Sequence, residues 1–121
     1  MNPGDIFRVE FAASGGHEQA GRRPAIILQS DAYAANSPLV IVVPLTGATA
    51  ATRFAGTLTI EPDDTNHLRR TSVALVFQIR AVDRSVIAGR IGAITDSQRA
   101  TLYAELNQLT GQTAPTNLTA S

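Results

Sequence analysis

The sequence predicts a mainly β domain with some helix: five to seven short antiparallel strands curled into a small sheet or barrel and capped by one C-terminal helix. Three observations carry this expectation. Short β-branched and aromatic runs recur along the chain, separated by turns rich in Gly, Pro, Asp and Asn. Only one segment, near the C-terminus, combines a helix cap with apolar residues at helical spacing. The length of 121 residues suffices for one compact core and is too short for two. Residues 1–111 are therefore expected to form one domain, and 112–121, rich in Thr, Ala and Asn, a flexible tail.

The first strand is expected at Asp5 to Phe11, where Phe7, Val9 and Phe11 share one face and Arg8 and Glu10 the other. Ala12 to His17 loses this period and carries Gly15-Gly16, the mark of a loop. Pro24 opens the second strand, and Ala25 to Leu28 is apolar throughout, as in a strand covered on both faces. Asp31 to Asn36 suits one helical turn capped by Ser30 or Asp31. Leu39 to Leu45 is the strongest β-forming run, with Pro44 expected at an edge or bulge because it cannot donate to a ladder. Phe54, Gly56, Leu58 and Ile60 alternate in a fourth strand, and a polar loop runs from Glu61 to Arg70. Ser72 to Phe77 reads as a buried strand, continued by an alternating stretch with Gln78, Arg80 and Val82 on one side. Val86 to Ile91 adds a short strand interrupted by glycines. Thr95 caps the helix in a box with Gln98, Leu102, Leu106 and Leu109 form its apolar stripe beside Tyr103, and Gly111 ends it.

Composition narrows the chemistry. Ten basic and ten acidic residues cancel, which removes the simplest electrostatic argument for nucleic-acid binding, although a neutral chain can still carry a local basic patch. Every basic residue is Arg. Without Cys there is neither a disulfide framework nor thiolate chemistry. No apolar run reaches membrane-spanning length and the N-terminus has no leader character, so a cytoplasmic protein with no membrane partner is expected. His17 and His67 stand apart in predicted loops without Cys, which argues against zinc. Asp63-Asp64 lacks the spacing of a calcium loop and suits a turn. No phosphate-binding glycine loop or nucleophile elbow is present. No cofactor is expected.

The stretch Glu18-Gln19-Ala20-Gly21-Arg22-Arg23-Pro24 remains. It ends a polar loop on two arginines at the entrance to a buried strand, and charges so placed must be solvated, paired or used. Thr46 is a hydroxyl where the third strand leaves the sheet, placed to point at solvent or a ligand or to hydrogen-bond its own turn.

These residues carry a resemblance to the MazF/PemK family of toxin endoribonucleases. It rests on Gly4-Asp5-Ile6-Phe7, on Glu18 to Ala25, on Val42-Val43-Pro44-Leu45-Thr46, and on Ser72-Val73-Ala74 with Gln78 to Asp83, in register over nearly the whole chain to Gly111. The resemblance implies an SH3-like barrel, a homodimer, a cognate antitoxin, and metal-independent, sequence-specific cleavage of single-stranded RNA to 2′,3′-cyclic phosphate and 5′-hydroxyl ends. It places the catalytic roles on Arg23, Thr46 and Glu18. Attack by a ribose 2′-hydroxyl needs a proton acceptor, for which Glu18 is suited, and neutralisation of the charge on the phosphoryl oxygens, for which Arg23 and Thr46 are suited. His17 is a second candidate for the acceptor. Gln19, Arg53, Gln78 and Arg80 are the candidate RNA-binding residues, Gln78 and Arg80 because they face the same way on one alternating strand, and Arg84 beside Asp83 is expected to serve as an ion-pair partner. The alternative is a gyrase-poisoning toxin similar to CcdB, which shares the barrel and cleaves nothing.

Overall fold

The computed structural model of the chain describes residues 1–12 and 21–113. Seven strands, β1 (Asp5–Phe11), β2 (Gly21–Ile27), β3 (Leu39–Thr46), β4 (Thr57–Ile60), β5 (Ser72–Leu75), β6 (Arg80–Asp83) and β7 (Ile87–Ala93), form one antiparallel sheet. Two helices accompany them, the single turn α1 (Asp31–Ala34) and the C-terminal α2 (Asp96–Leu109). The hydrogen-bonded path runs β4-β5-β3-β2-β1-β7, with β6 paired to β3 beside β5. A mainly β domain with a C-terminal helix is thus what the chain forms.

Period-two alternation decides where the core sits. In β2, Ile26 faces one cluster while Ala25 and Ile27 face another; in β3, Val43 and Leu45 face the first while Val40 and Val42 face the second. The central strands are covered on both faces, which is why their sequences are apolar without interruption. The first cluster is closed by Leu102 of α2, with Leu106 packed against it, and the second takes Val9 and Phe11 of β1. Phe7 joins that second cluster as expected, but Ile6 is fully buried in the first, so β1 is covered on both faces at its start.

Both prolines sit deeper in the sheet than expected. β2 begins at Gly21, making Pro24 its fourth residue, paired with Arg8 of β1. On its other side β2 meets β3 only from Ala25 onwards, so Pro24 lies where that flank has no ladder. Pro44 is in the central strand, opposite Ala25. Its far flank is where pairing with β6 has stopped at Val42 and pairing with β5 has yet to start at Leu45. The intervening chain crosses this gap as a 3-10 turn, Val76–Gln78. The missing N–H groups therefore fall at interruptions of the ladder.

That 3-10 turn also corrects the expected strand through Phe77, which ends at Leu75, and it separates Gln78 from β6. The fourth strand is shorter too: Thr49–Arg53 is a 3-10 turn, and β4 starts after Gly56. At α1, Ser30 occupies the cap position without a side-chain cap bond; Asp31 instead holds the N-terminal ammonium at 3.0 Å. Arg84 pairs with Asp31 (3.7 Å) and not with its neighbour Asp83, and its Nε donates to Ser37 O at 3.0 Å. Asp83 accepts from Ser85 N at 2.9 Å, and these hydrogen bonds to Ser85 hold its carboxyl below the ordinary value.

The helix behaves as its sequence dictates. Gln98 N donates to Thr95 Oγ1 (3.1 Å) and Thr95 N donates to Gln98 Oε1 (2.9 Å), completing the capping box. Thr110 closes the helix ahead of Gly111. Leu102 is fully buried and Leu106 half-buried, whereas Leu109 is 40% exposed and lies over Gly56, so the stripe weakens toward its C-terminal end. Of the expected tail, Gln112 and Thr113 both donate to Asn107 O, at 2.8 and 3.2 Å; residues 114–121 lie outside the described residues. No helix among the described residues is long and apolar enough to cross a membrane. Removing the Leu102 side chain (Leu102→Ala) is expected to cost about 3 kcal/mol, and Thr95→Ala about 1 kcal/mol, both read as shifts in the urea midpoint at constant slope.

Candidate nucleic-acid site

β2 and β3 pair through Ile27–Val42, Ile26–Val43 and Ala25–Pro44, and there the ladder stops. Carried two residues further, the same register sets Arg23 across from Thr46. The ladder thus ends two residues short of the position where the two candidates would face each other, with Pro24, paired to Arg8, and Pro44, paired to Ala25, at its end. Arg23 is half-buried and Thr46 is 7% exposed. Ala48 N donates to Thr46 Oγ1 at 3.1 Å. The hydroxyl thereby serves its own turn, but as an acceptor, and its proton stays available to donate to a ligand oxygen. On its other flank Thr46 pairs with Val73 of β5.

A hollow of about 730 Å³ lies at this end of the ladder, walled by Arg8, Arg22, Arg23, Arg69, Arg70 and Arg90 together with His67, Ser72 and Ile91. Six of the ten arginines converge here, and among the described residues no acidic side chain lines the wall. Net neutrality therefore conceals a concentrated basic basin, the local exception that a whole-chain charge sum cannot reveal. Arg22 and Arg90 are partly neutralised: Arg22 lies 3.8 Å from Glu10, its cross-strand partner, and Arg90 lies 3.2 Å from Asp5. Among the described residues no carboxylate lies within ion-pair distance of Arg8, Arg69 or Arg70.

The segment before β5 supplies the far wall, and it is not a loose polar loop. Fully buried Asn66 organises it. Asn66 Oδ1 accepts from Asp63 N (3.1 Å) and Leu68 N (2.9 Å), while Nδ2 donates to Glu61 O (2.8 Å). Asp63 Oδ1 accepts from Thr65 N (2.8 Å) and Asn66 N (2.7 Å), so this carboxylate builds the turn, as its Pro-containing context suggested. The loop docks on β7: Ala93 N donates to Thr65 O at 3.0 Å, and His67, held at φ 54°, brings Nδ1 within 3.1 Å of Ile91 O. Gly92 is needed beneath it, because a Cβ there would overlap the Asn66 carbonyl.

The other candidates do not gather at this hollow. Gln78 and Arg53 line a second depression of about 200 Å³ with Phe54 and Phe77, where the Arg53 guanidinium stands 4.8 Å from the Phe54 ring centre. Arg80 lines a third, its guanidinium 4.3 Å from the Phe11 ring centre. The expectation that Gln78 and Arg80 face one way on one strand is thus corrected, since the 3-10 turn intervenes. Glu18, Gln19 and His17 lie outside the described residues. Missed by sequence reasoning were Arg8, Arg69, Arg70, Arg90 and His67, which approach only after β1, β2, β7 and the 61–71 segment have packed. The adjacent pair Arg69-Arg70 immediately before a buried strand was the one local signal available. Among the described residues, no three His, Cys, Asp or Glu side chains gather to hold a metal ion.

Residues 2–110 match the family model described as PemK-like, MazF-like toxin of type II toxin–antitoxin system. The chain is 31% identical to the endoribonuclease MazF of Staphylococcus saprophyticus over 98 residues, 81% of each chain. Among solved structures, MazF from Deinococcus radiodurans in crystal form I matches with a TM-score of 0.76 at 29% identity, covering 92% of this chain and 96% of that one. A MazE–MazF crystal structure from the same organism matches with a TM-score of 0.71 at 25% identity, covering 93% and 97%.

If Asn66 is what makes the far wall rigid, Asn66→Ala should cost roughly 2–3 kcal/mol through three lost hydrogen bonds and the groups left unpaired. Native-state hydrogen exchange should then show protection lost between Asp63 and Leu68 before α2 is affected.

Proposed function

The chain belongs to the PemK-like, MazF-like family of type II toxin–antitoxin toxins, and on that premise we propose that it is an endoribonuclease that cuts single-stranded RNA at specific sequences without a metal ion. The observation that carries this reading is a hollow walled by six arginines, Arg23 among them, at the end of the β2–β3 ladder, where the strand register continued past Ala25–Pro44 brings Thr46 opposite Arg23. Such a wall suits a polyanion, whose backbone it can follow by phosphate contacts independent of base sequence.

In the proposed reaction, the 2′-oxygen of the nucleotide 5′ to the cut attacks the adjacent phosphorus as the bond to the 5′-oxygen breaks. The products are a 2′,3′-cyclic phosphate and a 5′-hydroxyl. The 2′-hydroxyl proton passes to a base, for which Glu18 is the candidate and His17 the second, and the leaving 5′-oxygen acquires a proton. Arg23 donates to the non-bridging oxygens as charge grows on them, a task that suits a guanidinium with two parallel donors. As a permanent cation its part is electrostatic, since a group with a pKa above ~12 releases its proton poorly at neutral pH. Thr46, whose oxygen already accepts from Ala48 N, supplies its own proton as a further hydrogen bond to the phosphate. Gln19, Arg53, Gln78 and Arg80 are assigned to the flanking nucleotides, with Gln78 and the Phe54–Phe77 pair at the second depression suited to a base edge and a base face.

The family membership also implies a cognate antitoxin, and MazF of Deinococcus radiodurans has been solved with MazE. We assign this chain the same kind of partner, and a homodimeric state. The gyrase-poison alternative is less well supported, because it gives Arg23, Thr46 and the arginine wall no chemistry to perform.

The test is cleavage of a long defined RNA in the presence of a chelator, with sequencing of both product ends. Cuts at a recurring short sequence, leaving cyclic phosphate and 5′-hydroxyl termini, are expected. Arg23→Ala should lower the rate by about 10²–10³-fold with an unchanged thermal melt; undiminished cleavage by that variant would overturn the assignment.

A further inference from the structure

The end of β3 has a cation laid against it besides Arg23 across the open ladder. A Cβ added at Gly47, the residue after Thr46, would stand 2.5 Å from Arg70 Nε, 2.6 Å from its Cζ and 2.8 Å from Nη2. The Arg70 guanidinium is therefore laid directly over the Gly47 backbone, and Gly47 is the residue that leaves room for it.

This placement is built from both sides. β5 pairs with β3 through Ala74–Leu45 and Val73–Thr46, and the next step of that register brings Ser72 across from Gly47. Ser72, 7% exposed, donates from Oγ to Arg70 O at 3.1 Å and fixes the backbone from which the side chain reaches back. Thr71 donates to the Glu61 carboxylate, and the Asn66 hydrogen bonds hold the remainder of the segment. Arg70 thus projects from a preorganised segment, whereas an arginine on a free loop would lose conformational entropy on engaging a ligand. Arg23 and Arg70 line the same hollow, from β2 on one flank of β3 and from the entrance to β5 on the other.

Resting on the ribonuclease reading above, we propose that Arg70 is a second phosphate-clamping residue: the scissile phosphate lies at the end of β3 over Thr46 and Gly47, gripped by Arg23 from one flank and by Arg70 from the other. The phosphorane formed by 2′-oxygen attack carries more negative charge on its non-bridging oxygens than the diester does. Two guanidiniums aimed from opposite sides stabilise that extra charge without moving a proton, so the proton balance of the cleavage step is unchanged. The arrangement makes Arg70 act on the rate of the chemical step, whereas Arg8, Arg69 and Arg90, further along the wall, act on binding.

The experiment uses a short RNA built around the cut site found in the long substrate, and compares the full-length protein with Arg70→Ala, Arg70→Lys and Gly47→Ala. The expected result for Arg70→Ala is a fall in kcat of about 10²–10³-fold with KM little changed. Arg70→Lys, which keeps the charge and loses the fork, should fall between the two. Gly47→Ala keeps Arg70 but displaces its guanidinium, and should lower kcat by about 10–10²-fold. Free guanidinium ion should restore part of the Arg70→Ala rate. Thermal melts identify any variant that fails to fold, in which case Gly47→Ala and Arg70→Lys decide the matter. An Arg70→Ala protein with unchanged kcat, whether its KM rises or not, overturns the clamp while leaving the ribonuclease reading intact. Wild-type protein that leaves every RNA uncut overturns the ribonuclease reading, and the clamp falls with it.

Discussion

The end of the β2–β3 ladder at Ala25–Pro44 is the constraint on which the rest of this structure depends. Up to that pair the two strands are covered on both faces and hold the two halves of the core together. Beyond it Pro24 offers no donor toward β3, the end of β3 turns to pair with β5 through Leu45 and Thr46, and β2 presents Arg22 and Arg23 to a hollow. A proline inside a sheet usually signals an edge. Here Pro24 and Pro44 lie within central strands at places where one flank has no ladder, and Arg23 stands beside the first of them.

Charge is arranged by the same packing. β1 contributes Arg8, β2 contributes Arg22 and Arg23, β7 contributes Arg90, and the segment before β5 contributes Arg69 and Arg70. Such a concentration of like charge costs free energy in the empty protein, and the structure moderates it with Glu10 at Arg22 and Asp5 at Arg90. Arg70, laid over the end of β3, has no carboxylate within ion-pair distance among the described residues. A site of this kind binds a polyanion with strong dependence on ionic strength, although the chain as a whole is neutral.

The segment from Glu61 to Thr71 shows how a polar stretch becomes rigid without a strand or helix. Asn66 satisfies three backbone groups from inside, which is the role a buried amide side chain must fill if its burial is not to destabilise the fold. Gly92 allows the loop backbone to rest on β7, and Gly47 allows Arg70 to rest on the end of β3. Two glycines that show no periodicity in the sequence thus define two close approaches between parts of the chain distant in sequence.

What could be read from the sequence was whatever is decided within a few residues. The alternation of Phe7, Val9 and Phe11, the uninterrupted apolar character of β2 and β3, and the capping box of Thr95 and Gln98 depend on local spacing and appear where it put them. Arg23, expected at the strand entrance, lies inside β2, which begins at Gly21. The breaks also departed from local spacing: the strand through Phe77 gives way to a 3-10 turn because β3 changes partners there, and β4 starts only after Gly56. Arg84 was expected to serve in an ion pair, but its partner, Asp31, lies more than fifty residues away in sequence. The basic hollow was invisible for the same reason, since ten cations and ten anions sum to zero along a chain whatever their places in space. Sequence by itself determined the class of fold, because short-range pattern and strand ends express themselves locally, while Arg23 and Thr46 became candidates through the family resemblance. Tertiary structure alone decided that six arginines share one wall and that Arg70 reaches the end of β3, because those approaches are set by sheet register and by close packing over glycine.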